Sequence, residues 1–389
     1  MLNLNGLAEF LTFGFTLDGK TMIQEKNIPS APMSIPKPKT NGTIDDVYSA
    51  LDEAMEKLIE PKTGLGLSGG LDSRINAGIA AEIEEMPTFT FGVSKFEKMI
   101  AHKVAATLKL PHIIFDTKMH LNEKIIEKLK ALVLETGGAL DVFNLYIRTS
   151  LGQRFKEHGI KKIITAYGFD EVNCSSFGYK VGSTKEFCDV FSQAYAHPSL
   201  PFQYREIVKK NLNDYCSNIP FMVLYPLVWI KNVLKKYGVQ DWVRTETPIV
   251  DRKVLSAIIS VPYEKRIYKR IQKAILRKYF PKLNKIPYAA SGLPPFFHHY
   301  IHDLMNRSVL ALFAFQRSPQ PLHTWDIQWF IRLNLPLFKK LLVSNVPPFM
   351  SRGTVRNLIC RVESHGNDLD ANFLNRLLTY ALLSSQIKS

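Results

Sequence analysis

The chain has 389 residues, of which 46% are hydrophobic, so it can bury a large core as two packed lobes or one large domain. Its 50 lysines and arginines outnumber 35 aspartates and glutamates, and the formal net charge of +15 attracts ATP, acidic substrates, nucleic acid or anionic membrane. The sequence contains no RNA-recognition, zinc-finger or KH signature, so nucleic acid is disfavoured as a partner but not excluded.

The cysteines indicate a reducing compartment, because they are widely spaced and form no CxxC pair: Cys174, Cys188, Cys216 and Cys360. The N-terminus lacks a basic region followed by an apolar run, so we expect no secretion signal. The most apolar stretch, residues 219–233, is interrupted by two prolines and a lysine and is too short to span a bilayer. We therefore expect a cytoplasmic protein with no membrane partner.

Three regions are predicted along the chain. Residues 1–42 form an N-terminal segment and linker, since prolines punctuate residues 28–41 as in an extended connector. Residues 43–185 are predicted to form a nucleotide-binding α/β core, which opens with a helix after Thr43. Residues 186–389 are mainly helical in pattern, and we expect them to complete the active site.

Within residues 43–185, short apolar runs alternate with helical patterns. The predicted strands are 64–68, 87–92, 112–115 and 161–165, and the predicted helices are 72–85, 97–109, 121–136 and 142–158. This alternation predicts an α/β fold, a parallel sheet with helices on both faces. Ligands of such sheets bind beyond the carboxyl ends of the strands, so the loops after Leu67, Phe91 and Thr165 should face one site.

The first predicted strand runs into a small-residue turn, Gly-Leu-Ser-Gly-Gly-Leu-Asp-Ser-Arg at residues 66–74, that opens a helix. Glycines let the backbone approach an anion closely, while the helix N–H groups and serine hydroxyls donate hydrogen bonds. We predict a phosphate cradle from the residues Leu67, Ser68, Gly69, Gly70 and Ser73. A carboxylate at Asp72 would repel phosphate, so its predicted role is to hold Mg²⁺ against the polyphosphate.

Two other interpretations of this turn remain open. Gly64, Gly66 and Gly69 satisfy GxGxxG, the dinucleotide-binding fingerprint, which is a weak signal when it stands alone. The turn could also be an ordinary glycine turn with a capping serine. A Walker-type ending of glycine, lysine and serine or threonine is missing.

Residues 66–74 resemble the PP-loop ATP pyrophosphatases, which cleave ATP between the α- and β-phosphates and adenylate their substrates. Further segments are similar to the asparagine synthase family and follow its order over about residues 60–280. They are the E-x3-A-x2-VA-x2-L-x3-H spacing from Glu97 to His112, the segment 165–171 (Thr-Ala-Tyr-Gly-Phe-Asp-Glu), Phe-Gly-Tyr at 177–179, Pro-Ile-Val-Asp at 248–251 and Lys-Ala-Ile-Leu-Arg at 273–277.

The resemblance implies an ATP- and Mg²⁺-dependent ligase that adenylates a carboxylate, by default aspartate, and transfers it to ammonia or an amine. It assigns Asp72 and Asp170 to Mg²⁺ and Lys273 to the ATP phosphates, and we add Gly92 and Gly168 to the nucleotide site. The residues themselves agree for Asp170, which follows a strand at the same sheet edge as Asp72. Alternatively, Asp170 and Glu171 are a solvated loop pair.

The chain departs from the family at its N-terminus. Glutamine-dependent members carry a nucleophilic cysteine directly after the initiator, whereas position 2 here is Leu2. Residues 7–14 nevertheless resemble the family's junction after the glutaminase domain. We therefore expect a synthetase without glutaminase activity, supplied with nitrogen by free ammonia, a substrate amine or a separate glutaminase subunit.

The chain also departs from the family in the segment that corresponds to the catalytic loop. The lysine that the family places in this loop would fall near Ala289 or Ala290, and we assign Lys285 as its candidate replacement. His298 and His299 nearby are more typical of surface residues than of a site. The loss of the lysine puts transition-state stabilisation in question.

Tyr167 stands where asparagine synthase usually carries glutamate and where β-lactam synthetase carries tyrosine. It is therefore a candidate catalytic residue, with Glu186 and Glu206 as candidates for its acidic partner. This position favours a β-lactam synthetase-like enzyme or a peptide cyclase as the alternative to asparagine synthesis.

A basic stripe raises a second alternative. Its members follow mostly helical spacing and suit pyrophosphate or RNA phosphates, although most are expected to be solvated: Lys265, Arg266, Lys269, Arg270, Lys273 and Arg277. A PP-loop tRNA-modifying enzyme and a non-catalytic homologue therefore remain as further interpretations.

Overall fold

A parallel sheet of five strands lies at the centre of the fold. The computed structural model describes residues 2–17, 21–24, 36, 41–92, 94–115, 120–173, 183–217, 243–289, 291–297, 301, 304, 326–364 and 368–387. The strands are β1 (Thr63–Gly66), β2 (Thr88–Phe91), β3 (His112–Phe115), β4 (Lys162–Ile164) and β5 (Arg244–Glu246). They pair in parallel in the order β3-β2-β1-β4-β5. The order reverses between β1 and β4, which is the point where open α/β sheets bind ligands.

Helices connect the strands and continue beyond the sheet. They are α1 (Leu4–Phe13), α2 (Ile44–Leu58), α3 (Asp72–Ile83), α4 (Lys95–Leu108), α5 (Glu123–Glu135), α6 (Val142–Glu157), α7 (Phe169–Val172), α8 (Thr184–Tyr195), α9 (Phe202–Cys216), α10 (Arg252–Ser260), α11 (Tyr263–Arg266), α12 (Arg270–Lys278), α13 (Asp326–Ser344), α14 (Arg352–Ser364) and α15 (Asp368–Ile387). The predicted class, an α/β sheet followed by a mainly helical region, is confirmed.

Both faces of the sheet are covered by helices, so consecutive residues of one strand can both be buried. Successive strand residues point to opposite faces. On β4, Ile163 packs into the core formed with α5, α6 and the C-terminal helices, whereas Ile164 packs into the core formed with α2, α3, α4 and α10. The sheet is thus the middle of three layers.

The N-terminal helix α1 packs against the helical region and is buried along most of its length. The buried carboxylate of Glu9 accepts hydrogen bonds from the Leu17 N–H at 2.8 Å and the Asn211 side chain at 2.7 Å. Arg376 of α15 donates to the carbonyl oxygen of Leu11 at 3.0 Å. The predicted division at residues 42 and 185 stays a prediction, but α1 belongs to the packed core.

Most predicted elements agree with the structure to within a few residues. Strand β5 is the exception, since helical signals were expected to dominate beyond residue 185. Its sequence, Arg-Thr-Glu, lacks an apolar pattern because β5 is a short edge strand that pairs only with β4 among the described strands. No described helix is both long and apolar enough to cross a membrane.

Two helical glycines offer a matched test of this packing. A Cβ added at Gly78 of α3 would lie 2.8 Å from the ring of Phe280, whereas one added at Gly152 of α6 would meet nothing within 4 Å. Gly78→Ala should lower the free energy of unfolding by about 1–3 kcal/mol through overpacking. Gly152→Ala should raise it by up to about 1 kcal/mol, since alanine loses less entropy in a helix. Urea unfolding of both variants measures this, and equal shifts would contradict the contact of α3 with Phe280.

Candidate active site

The turn between β1 and α3, residues 66–71 and here called the glycine loop, is held by two serines. The hydroxyl groups of Ser68 and Ser73 lie 2.9 Å apart, and the Ser73 hydroxyl accepts a hydrogen bond from the Ser68 N–H at 3.0 Å. The Ser68 hydroxyl also accepts from the Gly70 N–H at 3.1 Å. Hydrogen bonds of these two hydroxyls within the protein therefore hold the shape of the loop.

Helix α3 begins directly after the glycine loop, which follows β1. Leu71 occupies the N-cap position and its side chain makes no capping hydrogen bond, so the polar end of the helix has no side-chain cap from that residue. A helix N-terminus of this kind favours an anion. Asp72, in the first turn of α3, brings a negative charge to the same place.

The glycine loop is packed against a second loop, residues 283–289. The Ala289 N–H donates to the carbonyl oxygen of Gly69 at 3.0 Å. A Cβ at position 69 would collide with the Cβ of Ala289, so this close approach requires glycine. Ala289, one of the two positions expected to carry the family's lysine, is thus a buried packing residue, while residue 290 lies outside the described part of the chain.

Arg74 joins the two loops, although nothing in its sequence context indicated this role. Its fully buried guanidinium donates to the carbonyl oxygens of Leu283 at 3.1 Å, Ile286 at 2.8 Å and Pro287 at 2.8 Å, and to Gly69 at 3.3 Å. Burial lowers the pKa of Arg74 to about 10, which leaves it charged at neutral pH. The planar fork of donors suits an array of carbonyl oxygens.

The two predicted metal ligands meet at the switch point of the sheet. Asp72 follows β1 and Asp170 lies in α7, which follows β4. The side-chain amide of Gln272 on α12 donates to the Asp72 carboxylate at 3.1 Å and to the Asp170 carboxylate at 3.0 Å. One buried amide group therefore binds both carboxylates, which the parallel pairing of β1 and β4 brings to the same sheet edge.

Lys269 supplies the positive charge beside this pair. Its ammonium group forms an ion pair with Asp170 and lies 5.5 Å from the centroid of the Tyr288 ring. Burial opposes the charge on Lys269, but Tyr288, Asp72 and Asp170 outweigh burial and raise its pKa above the ordinary value. The sequence placed Lys269 in a stripe of mostly solvated cations, so its place in the site was missed.

These groups open into a cavity of about 620 Å³. It is lined by predicted site residues from the strand ends, namely Leu67, Ser68, Gly70, Asp72, Ser73, Tyr167 and Asp170. Its opposite wall, formed by β2 and α6, is largely apolar and includes Phe89, Ile147 and Phe155, with Arg148 among them. A cavity of this volume is in the range of small-molecule sites.

The other predicted site residues, all of them described, do not line this cavity. Gly69 packs against Ala289 of the second loop, and Gly92 and Gly168 have positive φ angles of 117° and 95° in the turns after β2 and β4. Lys273 donates to the carbonyl oxygen of Phe297 at 3.3 Å. Lys285 is exposed on a turn. Their predicted roles stay predictions.

Tyr167 is 37% exposed and lines the cavity, and its carbonyl oxygen accepts a hydrogen bond from the Thr247 hydroxyl at 2.9 Å. The suggested acidic partners, Glu186 and Glu206, are exposed residues of α8 and α9 and do not contribute to the described cavity wall. Glu97 does line the cavity. His298 and His299 lie outside the described residues.

The donor set fits a magnesium ion that arrives with a nucleotide. Among the described residues, no group of three histidine, cysteine or acidic side chains could hold a metal unaided. Mg²⁺ needs no such cage, because it usually binds through one or two carboxylates, several waters and substrate phosphates. The Oε1 atom of Gln272, buried beside the carboxylates, has no hydrogen-bond partner among the described residues, and a hydrated cation would supply one.

Arg74→Met should lower the free energy of unfolding by about 2–4 kcal/mol, because several buried carbonyl oxygens lose their donors at once. Urea unfolding measures the change. Arg356→Met, at an exposed position on α14, is the matched control and should change stability by less than about 0.5 kcal/mol. Equal stability of the two variants would show that Arg74 does not hold the loops together.

Comparison with known families agrees with this geometry. Residues 46–220 match the family model described as Asparagine synthase, whose members are ATP-dependent ligases. A search of curated proteins gives no match. The matched segment spans β1 to β4 and includes the glycine loop, Tyr167 and Asp170, whereas Lys269 and Gln272 lie beyond it. Over residues 46–220, therefore, this chain matches the synthetase domain of the asparagine synthase family.

Proposed function

We propose that the protein is an ATP-dependent carbon–nitrogen ligase that adenylates a carboxylate and transfers the acyl group to ammonia or an amine, with release of AMP and pyrophosphate. One observation carries the proposal. The glycine loop, the N-terminus of α3 and the paired carboxylates of Asp72 and Asp170 converge at the switch point of the sheet. This convergence lies in the segment that matches the asparagine synthase family.

In the first half-reaction, an oxygen of the carboxylate substrate attacks the α-phosphorus of ATP. The bond to the bridging oxygen breaks, and pyrophosphate leaves with the electron pair. The glycine loop and the first turn of α3 bind the phosphates through N–H groups, and Ser68 and Ser73 orient the loop. Asp72 and Asp170 are the residues that would hold Mg²⁺, and the ion would compensate the charge of the polyphosphate.

In the second half-reaction, the nitrogen of the amine attacks the acyl carbon, and AMP leaves. The attacking nitrogen must lose a proton, and Tyr167 at the cavity wall is our candidate to receive it. Only the ionised phenolate can accept this proton, and a phenol with its ordinary pKa of about 10 is almost wholly protonated at neutral pH, so Tyr167 suits a positioned substrate amine better than ammonia. Lys285, exposed outside the cavity wall, would reach the substrate only from a shifted loop.

Aspartate is the default acid substrate. Its second carboxylate would need a cation, and Arg148 is placed on the cavity wall to provide one. The apolar side of the same wall, with Phe89, Ile147 and Phe155, favours the alternative, a β-lactam synthetase-like enzyme or peptide cyclase with a larger substrate. The family match favours both ligases over a tRNA-modifying enzyme.

The family match also bears on the source of the nitrogen. The match covers the synthetase domain and includes no glutaminase domain. We propose that free ammonia, an amine of the substrate or a separate glutaminase subunit supplies the nitrogen. We also propose a reducing, cytoplasmic location, in which the described cysteines, Cys188, Cys216 and Cys360, stay free thiols.

The decisive measurement is pyrophosphate release from Mg²⁺-ATP across a panel of carboxylates, beginning with aspartate, with and without ammonium. Asp72→Asn and Asp170→Asn should each lower the rate at least about 100-fold, since charge compensation by the metal is worth several kcal/mol. The matched control is Asp214→Asn on the exposed side of α9, which should keep the wild-type rate. Wild-type rates from the two site variants at limiting Mg²⁺ would remove both residues from the metal site.

The role of Tyr167 is tested by separating the two half-reactions. Tyr167→Phe should preserve ATP–pyrophosphate exchange, because adenylation needs no proton acceptor for the amine. It should lower amide formation by at least about tenfold, which is the lower end for a general acid–base group. Equal product rates in the variant and the wild type would assign Tyr167 to packing and restore ammonia-dependent asparagine synthesis as the leading reaction.

A further inference from the structure

One cationic residue on the wall of the cavity, Lys269, has an unusual backbone conformation. Tyr268 and Lys269, which link α11 to α12, have φ angles of 59° and 56°. Residues other than glycine rarely adopt this left-handed conformation, and it persists where the surrounding structure imposes it, often at functional sites. Here it brings the Lys269 side chain to the wall of the cavity.

Lys269 has two neighbours that fix its position. Its ammonium group pairs with Asp170, and the ring of Tyr288 lies 5.5 Å away on the same wall. Gln272, three residues along, binds the carboxylates of Asp72 and Asp170. One short segment thus carries both groups that hold the carboxylate pair.

Two negative charges meet at this point. The Gln272 amide binds the carboxylates of both Asp72 and Asp170, and the Lys269 ammonium pairs with Asp170. A divalent cation would over-compensate the pair if Lys269 stayed in place, and like charges so close repel one another. Lys269 and a metal ion are therefore competitors for Asp170.

The other candidate cations are less well placed to reach the phosphates. One position where a loop lysine was expected holds Ala289, which carries no charge. Lys273 donates to the carbonyl oxygen of Phe297, and Lys285 is exposed. Of the described residues that line the cavity, only Arg148 and Lys269 are cationic, and Lys269 is the one paired with the carboxylates beside the glycine loop.

We propose that Lys269 is a phosphate-binding catalytic residue that compensates Asp170 in the empty site and moves to the polyphosphate of ATP when Mg²⁺-ATP binds. This inference rests on the proposed function. During adenylation, the bond between the α-phosphorus and the bridging oxygen breaks, and negative charge grows on the departing pyrophosphate. The Lys269 ammonium donates hydrogen bonds to those oxygens and stabilises the charge where it develops.

The proposal predicts binding changes of opposite sign. Lys269→Met removes the competitor for Asp170, so the affinity for Mn²⁺ alone, followed by electron paramagnetic resonance, should rise about tenfold. The same substitution removes a phosphate partner, so the affinity for Mg²⁺-ATP, measured by calorimetry, should fall about tenfold, while the affinity for AMP changes little. If Lys269 only held Asp170 in place, its removal would not strengthen metal binding.

Three further variants make the test specific. Lys265→Met removes one charge from an exposed position of the same stripe and should leave all three affinities unchanged. Lys269→Arg keeps the charge and should restore most of the Mg²⁺-ATP affinity. Lys269→Gly suits the left-handed backbone and should give the same two shifts as Lys269→Met, which separates the loss of the ammonium from misfolding.

The outcomes distinguish the two proposals. Opposite shifts in Lys269→Met and Lys269→Gly support the role of Lys269, even if no carboxylate triggers pyrophosphate release and the proposed ligase function fails. Wild-type binding of Mn²⁺ and Mg²⁺-ATP by both variants overturns the role of Lys269 and leaves the ligase function standing. A wild-type chain that binds no Mg²⁺-ATP overturns both.

Discussion

Two carboxylates at one edge of a parallel sheet impose the central constraint on this molecule. Strands β1 and β4 are neighbours and run in the same direction, so Asp72 and Asp170 emerge side by side. Like charges this close must be compensated. In the protein itself the compensation comes from α12 and the turn before it, through Gln272 and Lys269, which explains why this region packs against the end of the sheet.

A second contact fixes the geometry on the other side of the glycine loop. Arg74 binds carbonyl oxygens of the 283–289 loop, and Gly69 leaves room for Ala289. This second loop, which carries Ala289, is thereby attached to the glycine loop. Under the proposed function a cation is needed near the phosphates, and Lys269 is our candidate for it.

The cavity also depends on elements far from the glycine loop in sequence. Helix α6 forms its apolar wall, and α6 is held from behind by α15: the Val142 N–H donates to the Thr379 hydroxyl at 3.0 Å, and the Phe143 N–H donates to the Asn375 side chain at 3.1 Å. The N-terminal helix α1 packs on α15 in turn. The C-terminal and N-terminal helices therefore support the apolar wall of the cavity from behind.

The sequence by itself determined the local features of this protein: strands β1 to β4, the helices between them, the small-residue turn after β1, and the positions of Asp72 and Asp170 beyond the ends of two strands. Those features depend on periodicity and on neighbours within a few residues, which a sequence displays directly. Only the tertiary structure decided the rest. β5 is an edge strand without an apolar pattern, and Arg74, Lys269 and Gln272 acquire their roles from partners about 100 to 200 residues away, whose contacts no local pattern records.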